Sequence, residues 1–200
     1  MVEEWVLIAK AFFMLFVVMD PPGNVPIFLA ITNGLSKEER KRELRSAVLV
    51  AAILLFTFAF LGKAILFALN IELASFKVAG GILLMFIALD ILGGSASERK
   101  LRATAGVGAV PMGTPLLAGP GAITTVMTIL QSFSDIVVLL AIAAAIFATW
   151  LVLSLSEQIY RILGEKGSSV LSKVVAIIVA AIAVQFIADG LCSLFPVLNG

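Results

Sequence analysis

The segment Asp20-Pro21-Pro22-Gly23-Asn24-Val25-Pro26 interrupts an apolar run that begins at Trp5. Ionisable groups inside such a run are costly and face a bundle interior or a pathway. Asp20 is therefore the first residue to consider for chemistry. A second interruption, with Pro111, Pro115 and then Gly119-Pro120-Gly121, lies in a later apolar stretch. Proline lacks an N–H and clashes with the preceding turn, and glycine adds freedom, so neither run can remain regular helix. A broken helix offers N–H groups at one half-helix end and carbonyls at the other. The first favour a carboxylate, the second an ammonium or a cation. A small zwitterion matches both.

The composition tells what must hold these breaks. The 200 residues are 61% hydrophobic and 14% charged, with a mean hydropathy of +1.13, whereas soluble domains run at about 45–50% apolar and about 25% charged. This implies an integral membrane protein and excludes soluble enzymes, nucleic-acid binders and disordered tails. The lack of histidine removes His-ligated metal sites and any Ser–His nucleophile pair. Cys192 is the sole cysteine and cannot form an intramolecular disulfide. No catalytic residue, metal or cofactor is expected. The acidic start Met1-Val2-Glu3-Glu4 predicts a retained span, since a cleaved signal begins with basic residues.

Six apolar stretches follow: Trp5–Ile31, Ser46–Leu69, Leu73–Gly93, Gly106–Leu130, Ile136–Leu155 and Val170–Pro196. Each can cross a hydrocarbon core of about 30 Å as helix. None alternates like a barrel strand. The expected fold is an all-α membrane bundle of six transmembrane helices in a single domain, residues 1–200, with helices 1 and 4 discontinuous. Ser36-Lys37-Glu38-Glu39 has the spacing of a capping box, which predicts a short cytoplasmic helix. Its three acids among five bases speak against a nucleic-acid surface. The pairs Ala141/Ala145, Ala144/Ala148 and Ala176/Ala180 have the spacing of close helix packing.

Two halves recur along the chain, about 1–96 and 105–200. Phe86-Ile87-Ala88 returns as Phe186-Ile187-Ala188, at an offset of 100, and Pro22-Gly23 returns as Pro120-Gly121, at an offset of 98. Each half has a broken first segment, an apolar second and a third ending in an acid, Asp90 or Asp189. Three crossings per half make the second half enter from the opposite side, giving inverted repeats. Paired interrupted helices in such repeats point to a transporter site near the bilayer midplane.

Asp20-Pro21-Pro22-Gly23-Asn24-Val25-Pro26-Ile27-Phe28, with Pro115-Leu116-Leu117-Ala118-Gly119-Pro120-Gly121-Ala122-Ile123, resembles the paired signatures of the MarC family. The resemblance covers essentially the whole chain. It implies transport of small neutral amino acids such as glycine and alanine, with coupling to protons or to sodium left open. The implied partners are that substrate and the lipid bilayer, with no nucleic acid.

The substrate-binding candidates are Asp20, Pro21, Pro22, Gly23, Asn24, Gly119, Pro120, Gly121, Thr124, Thr125 and Gln185. Several have a plainer reading. Asp20 before proline suits a helix cap, Thr124 and Thr125 can bond back within their helix, and Gln185 can tie helices together. Asp90 and Asp189 are candidates for coupling or gating, or for simple interfacial solvation. They also raise an intramembrane aspartyl protease, which needs two carboxylates about 3 Å apart. A channel and a non-transporting scaffold complete the alternatives.

The charges give an orientation. With six crossings, the loops joining spans 1–2, 3–4 and 5–6 share one side. They hold Lys37, Arg40, Lys41, Arg42, Arg45, Arg99, Lys100, Arg102, Arg161, Lys166 and Lys173, eleven of the 14 basic residues. The positive-inside rule makes that side cytoplasmic in the cell membrane, with both termini outside. Single cysteines on a Cys192→Ser background test this. Impermeant reagent should reach residue 199 from outside and residue 38 only from inside. The reverse pattern overturns the orientation.

Overall fold

The computed structural model describes residues 2–93, 117–195 and 197. The loop bases Arg99, Lys100 and Arg102, the prolines 111 and 115, the first part of the fourth apolar stretch and Pro196 lie outside the described residues. Within them the chain forms seven helices and no strand. These are α1 (Val2–Met19), α2 (Pro21–Ile31), α3 (Lys37–Ala68), α4 (Leu73–Leu92), α5 (Pro120–Ser132), α6 (Asp135–Ser154) and α7 (Ser156–Leu194). Five stretches are long and apolar enough to cross a membrane, α1 and α2 together counting as one. The 13 residues of α5 reach about 20 Å at 1.5 Å per residue, short of a full span alone.

The capping box forms as its spacing requires. Ser36 Oγ accepts the Glu39 N–H at 3.3 Å, and Glu39 Oε2 accepts the Ser36 N–H at 2.8 Å. The helix it starts is not a short separate one, however. It continues for 32 residues into the apolar stretch, because nothing between Lys37 and Ala68 breaks it. A second difference concerns 156–169, read from sequence as loop. This segment is helical except at Gly164, whose φ of 63° and ψ of −176° kink α7. Glycine carries that φ without a Cβ penalty.

Large apolar side chains point outward as well as inward. Phe60, Phe67, Phe86 and Phe147 are all exposed, Phe67 at 88%. That distribution suits hydrocarbon as solvent. Inside, one cluster joins α1, α2, α3, α5 and α6 through residues such as Leu15, Phe28, Leu55, Val126 and Ile142. A second lies mainly between α4 and α7, around Leu84, Ala88, Val179, Ala183 and Phe186. Ala141, Ala145 and Ala176 are fully buried. Helices in lipid associate by close packing more than by expelling water, so small residues at contacts matter most.

The tightest contact is α4 against α7, which run antiparallel. A Cβ added at Gly81 would stand 2.7 Å from the Ala183 carbonyl oxygen. One at Gly190 would stand 2.8 Å from the Ala74 carbonyl oxygen. Backbone cannot yield as a flexible side chain can. Gly81→Val and Gly190→Val should each lower stability by about 1–3 kcal/mol through overpacking. Thermal melts in detergent check this, and wild-type melting of both variants would contradict the packing.

Candidate functional site

The first break is narrower than its sequence suggests. Prolines at 21, 22 and 26 predict an irregular run, yet only Asp20 leaves helical geometry, and α2 resumes at Pro21. The reason is positional. Pro21 and Pro22 open the helix, where their missing N–H groups are not needed and their fixed φ is already helical. Pro26 sits inside α2 and removes a single hydrogen bond.

Asp20 adopts the left-handed conformation, φ 44° and ψ 57°. Asp is one of the few residues that tolerate it, because its short polar chain bonds locally. Its Oδ1 accepts the Gly23 N–H at 3.1 Å, so Asp20 does cap α2. Asn24 completes the joint. Its Nδ2 donates to the Met19 carbonyl at 2.9 Å, and its own N–H donates to the Asp20 carbonyl at 3.1 Å. Both residues are buried. Three carbonyls have a proline four residues on and so receive no i+4 N–H. Val17 and Val18 face the prolines at 21 and 22, and Pro22 faces Pro26. The joint is therefore rich in oxygen: those carbonyls and the Asp20 carboxylate.

The second break has the opposite character. Gly119 precedes α5 in extended conformation, Pro120 opens the helix, and among the described residues no side chain caps its N–H groups. A Cβ at Gly121 would stand 2.7 Å from Leu84 Cδ2 and 3.3 Å from both Ile87 Cδ1 and Val18 Cγ1. Gly121 thus packs on α4 and beside Val18, two residues before Asp20. The two breaks are neighbours. The space at their glycines is taken by protein, since a methyl at Gly23 would overlap the Asp20 carboxylate and the Ser172 hydroxyl of α7.

Thr124 and Thr125 are buried on α5, and their hydroxyls donate to the carbonyls of Pro120 and Gly121, both at 2.8 Å. The Thr124 side chain seats on Gly80 of α4. Gln185 stands apart from the breaks. It lies on the exposed face of α7, and its Nε2 donates to Asp189 Oδ1 at 2.7 Å. Asp90 and Asp189 are half-buried at opposite ends of the α4–α7 pair. Asp189 adjoins Gly190, which packs on Ala74; Asp90 is sixteen residues further along α4, about 24 Å. They form no dyad.

Other polar groups escaped the sequence reading. Ser172 lies against the Asp20 joint, and Ser168, one turn earlier on the same face of α7, is buried with no hydrogen-bond partner for its hydroxyl among the described residues. The same holds for Thr128 on α5 and Thr149 on α6. The four-residue spacing of Ser168 and Ser172 was visible, but a flanking Gly-, Ser- and Lys-rich stretch reads as loop. Among the described residues no cluster of His, Cys, Asp or Glu could hold a metal ion.

A left-handed aspartate joint and a glycine-led half-helix, meeting inside an apolar helical bundle, define a multi-pass integral membrane protein with a polar break at its core. The chain belongs to the MarC family of integral membrane proteins, whose model matches residues 5–195. It is 36% identical over 192 residues to a UPF0056 membrane protein of Archaeoglobus fulgidus, covering 90% of each chain. A UPF0056 membrane protein of Aquifex aeolicus is 35% identical, over 97% of this chain and 96% of its own. The membrane protein YhcE of Escherichia coli is 31% identical, over 94% and 93%. No solved structure matches the chain.

Asp20→Ala removes both the cap and a residue suited to left-handed backbone. It should lower stability by about 1–2 kcal/mol, whereas Asp20→Asn, which can cap and adopt that backbone, should stay near wild type. Thermal melts of the two variants check this. Equal melting of Asp20→Ala and wild type would mean that the cap is not needed.

Proposed function

We propose that this protein is a secondary transporter of small neutral amino acids such as glycine and alanine, not an enzyme. It is built as two inverted three-helix repeats with six crossings. The observation that carries the reading is the meeting of the two breaks inside the bundle. Each is backed by the third helix of the opposite half: Gly23 by α7, Gly121 by α4. The packing pattern supports the repeat. Exchange α1–α2 with α5, α3 with α6, and α4 with α7, and the main pairings map onto one another. The pair α1–α6 becomes α5–α3, and α2–α7 becomes α5–α4, while α4–α7 and α3–α6 return themselves.

The breaks also divide the work of binding a zwitterion. The Asp20 side, with its carboxylate and released carbonyls, suits an ammonium group or a coupling cation. The uncapped start of α5 at Gly119-Pro120-Gly121 suits a carboxylate. Side chains fill the space at both glycines, so a ligand there must be small, which agrees with what membership of the MarC family implies. Coupling runs through H+ or Na+, and Asp20 is the favoured carrier over the peripheral Asp90 and Asp189. Thr124 and Thr125 serve mainly to hold the carbonyls of the second break, and Gln185 has no part in the site.

Uptake of labelled glycine and alanine into proteoliposomes, under imposed proton or sodium gradients, tests the reading. Wild type should accumulate both against a gradient. Asp20→Asn, folded as judged by its melt, should lose about tenfold or more, the scale of one charged hydrogen bond. Wild-type uptake by Asp20→Asn, or no uptake by wild type under either gradient, overturns the reading.

A further inference from the structure

The basic residues of the first loop look from sequence like a solvated topology anchor, mixed with acids. The structure sorts them. Lys37, Arg40, Lys41 and Arg45 recur at the three- and four-residue spacing of one helical face, and all four line one cavity of about 360 Å³. Glu39 and Glu43 fall on the far side of α3, and Glu39 is tied to Ser36. One acid enters the cavity, Glu157 of α7, and it is engaged by Arg40. Lys37, Lys41 and Arg45 are exposed, with no ion pair among the described residues. A second depression of about 440 Å³ shares Lys41 and Arg45, and adds Arg42 and one exposed acid, Glu38.

The remaining walls mix Ser154, Ser156 and Gln158 with apolar groups, of which Trp150 is half-buried and Phe28, Leu44 and Leu153 are buried. The electrostatics are unfavourable as they stand. Lys37 and Arg40 lie in the first turn of α3, where the helix dipole disfavours cations. Ser156, Glu157 and Gln158 bring the N-terminus of α7 to the same cavity. Arg40 Nε is moreover buried without an acceptor among the described residues. The cavity therefore combines excess positive charge with the half-buried Trp150 ring, where α3 begins and α6 ends.

We infer that this cavity binds the phosphate headgroup of an anionic phospholipid. Lys37, Lys41 and Arg45 hold the phosphate, and Trp150 meets the glycerol and upper chain. Basic pockets between helices on the cytoplasmic side take such lipids, each Lys or Arg contributing about fivefold in affinity. The Trp150 ring is what favours a lipid over free phosphate. The inference does not depend on what the protein transports.

Trp150 lines the cavity, so its fluorescence reports occupancy once Trp5 is replaced. The probe is Trp5→Phe protein in phosphatidylcholine vesicles carrying chain-brominated phosphatidylglycerol or brominated phosphatidylcholine. Brominated phosphatidylglycerol should quench Trp150 at a much lower mole fraction, and Lys41→Gln/Arg45→Gln should raise that fraction more than tenfold. A Lys173→Gln control should leave it unchanged. Should the double variant fail to fold, the wild-type cavity still gives an answer, because added salt should erase the headgroup preference. Equal quenching by the two lipids, or a preference indifferent to salt and to the double variant, overturns the inference. Displacement by millimolar inorganic phosphate would instead make the ligand a soluble anion, and overturns it for lipid.

Discussion

In a bilayer a broken helix survives only if its freed backbone groups find partners within the protein. Asp20 and Asn24 together meet part of that demand. Asp20 turns the chain through the left-handed region, caps α2 through the Gly23 N–H, and leaves Asn24 to take the Met19 carbonyl. The remaining carbonyls, released by Pro21, Pro22 and Pro26, give the bundle an electronegative interior that a regular helix would not have. Gly23 lets the carboxylate fold back over its own helix, since any Cβ there would overlap it.

The packing around this joint follows from the same constraint. Close approach of α4 and α7 at Gly81 and Gly190 forms a spine, in which α7 backs Gly23 and α4 backs Gly121. Gly80 admits Thr124, and Gly121 admits Leu84. The threonine hydroxyls then occupy carbonyls at the start of α5. Small residues are spent where backbone must approach backbone, while large apolar ones are turned outward. Stability and the polar interior thus have a common origin in a few glycines.

Local features were legible in the sequence. The apolar stretches, the Asp20 interruption, the capping box at Ser36 and the family signatures all depend on residues near one another. The extent of the first break was not legible, because proline at a helix start and proline within a helix look alike until the start is known. The helical segment from Ser156 was hidden by its Gly and Ser content, which mimics loop. Ser172 and Ser168 gain meaning only from the packing of α7 on α2, a contact between residues some 150 apart. From its polarity alone Gln185 suits either pathway lining or a tie between helices, and the exposed face it occupies is set by Gly190 and Ala183 packing on α4.

On the proposed reading, the transported molecule binds at the Asp20 joint, pressed against α7. Ser172 is the natural reporter, since its hydroxyl reaches the joint from the neighbouring helix. In a Ser172→Cys, Cys192→Ser protein that retains transport, saturating glycine or alanine should slow modification of the new thiol, and leucine should not. A modification rate unchanged by glycine and alanine, in protein that still transports them, would contradict the claim and move the site elsewhere.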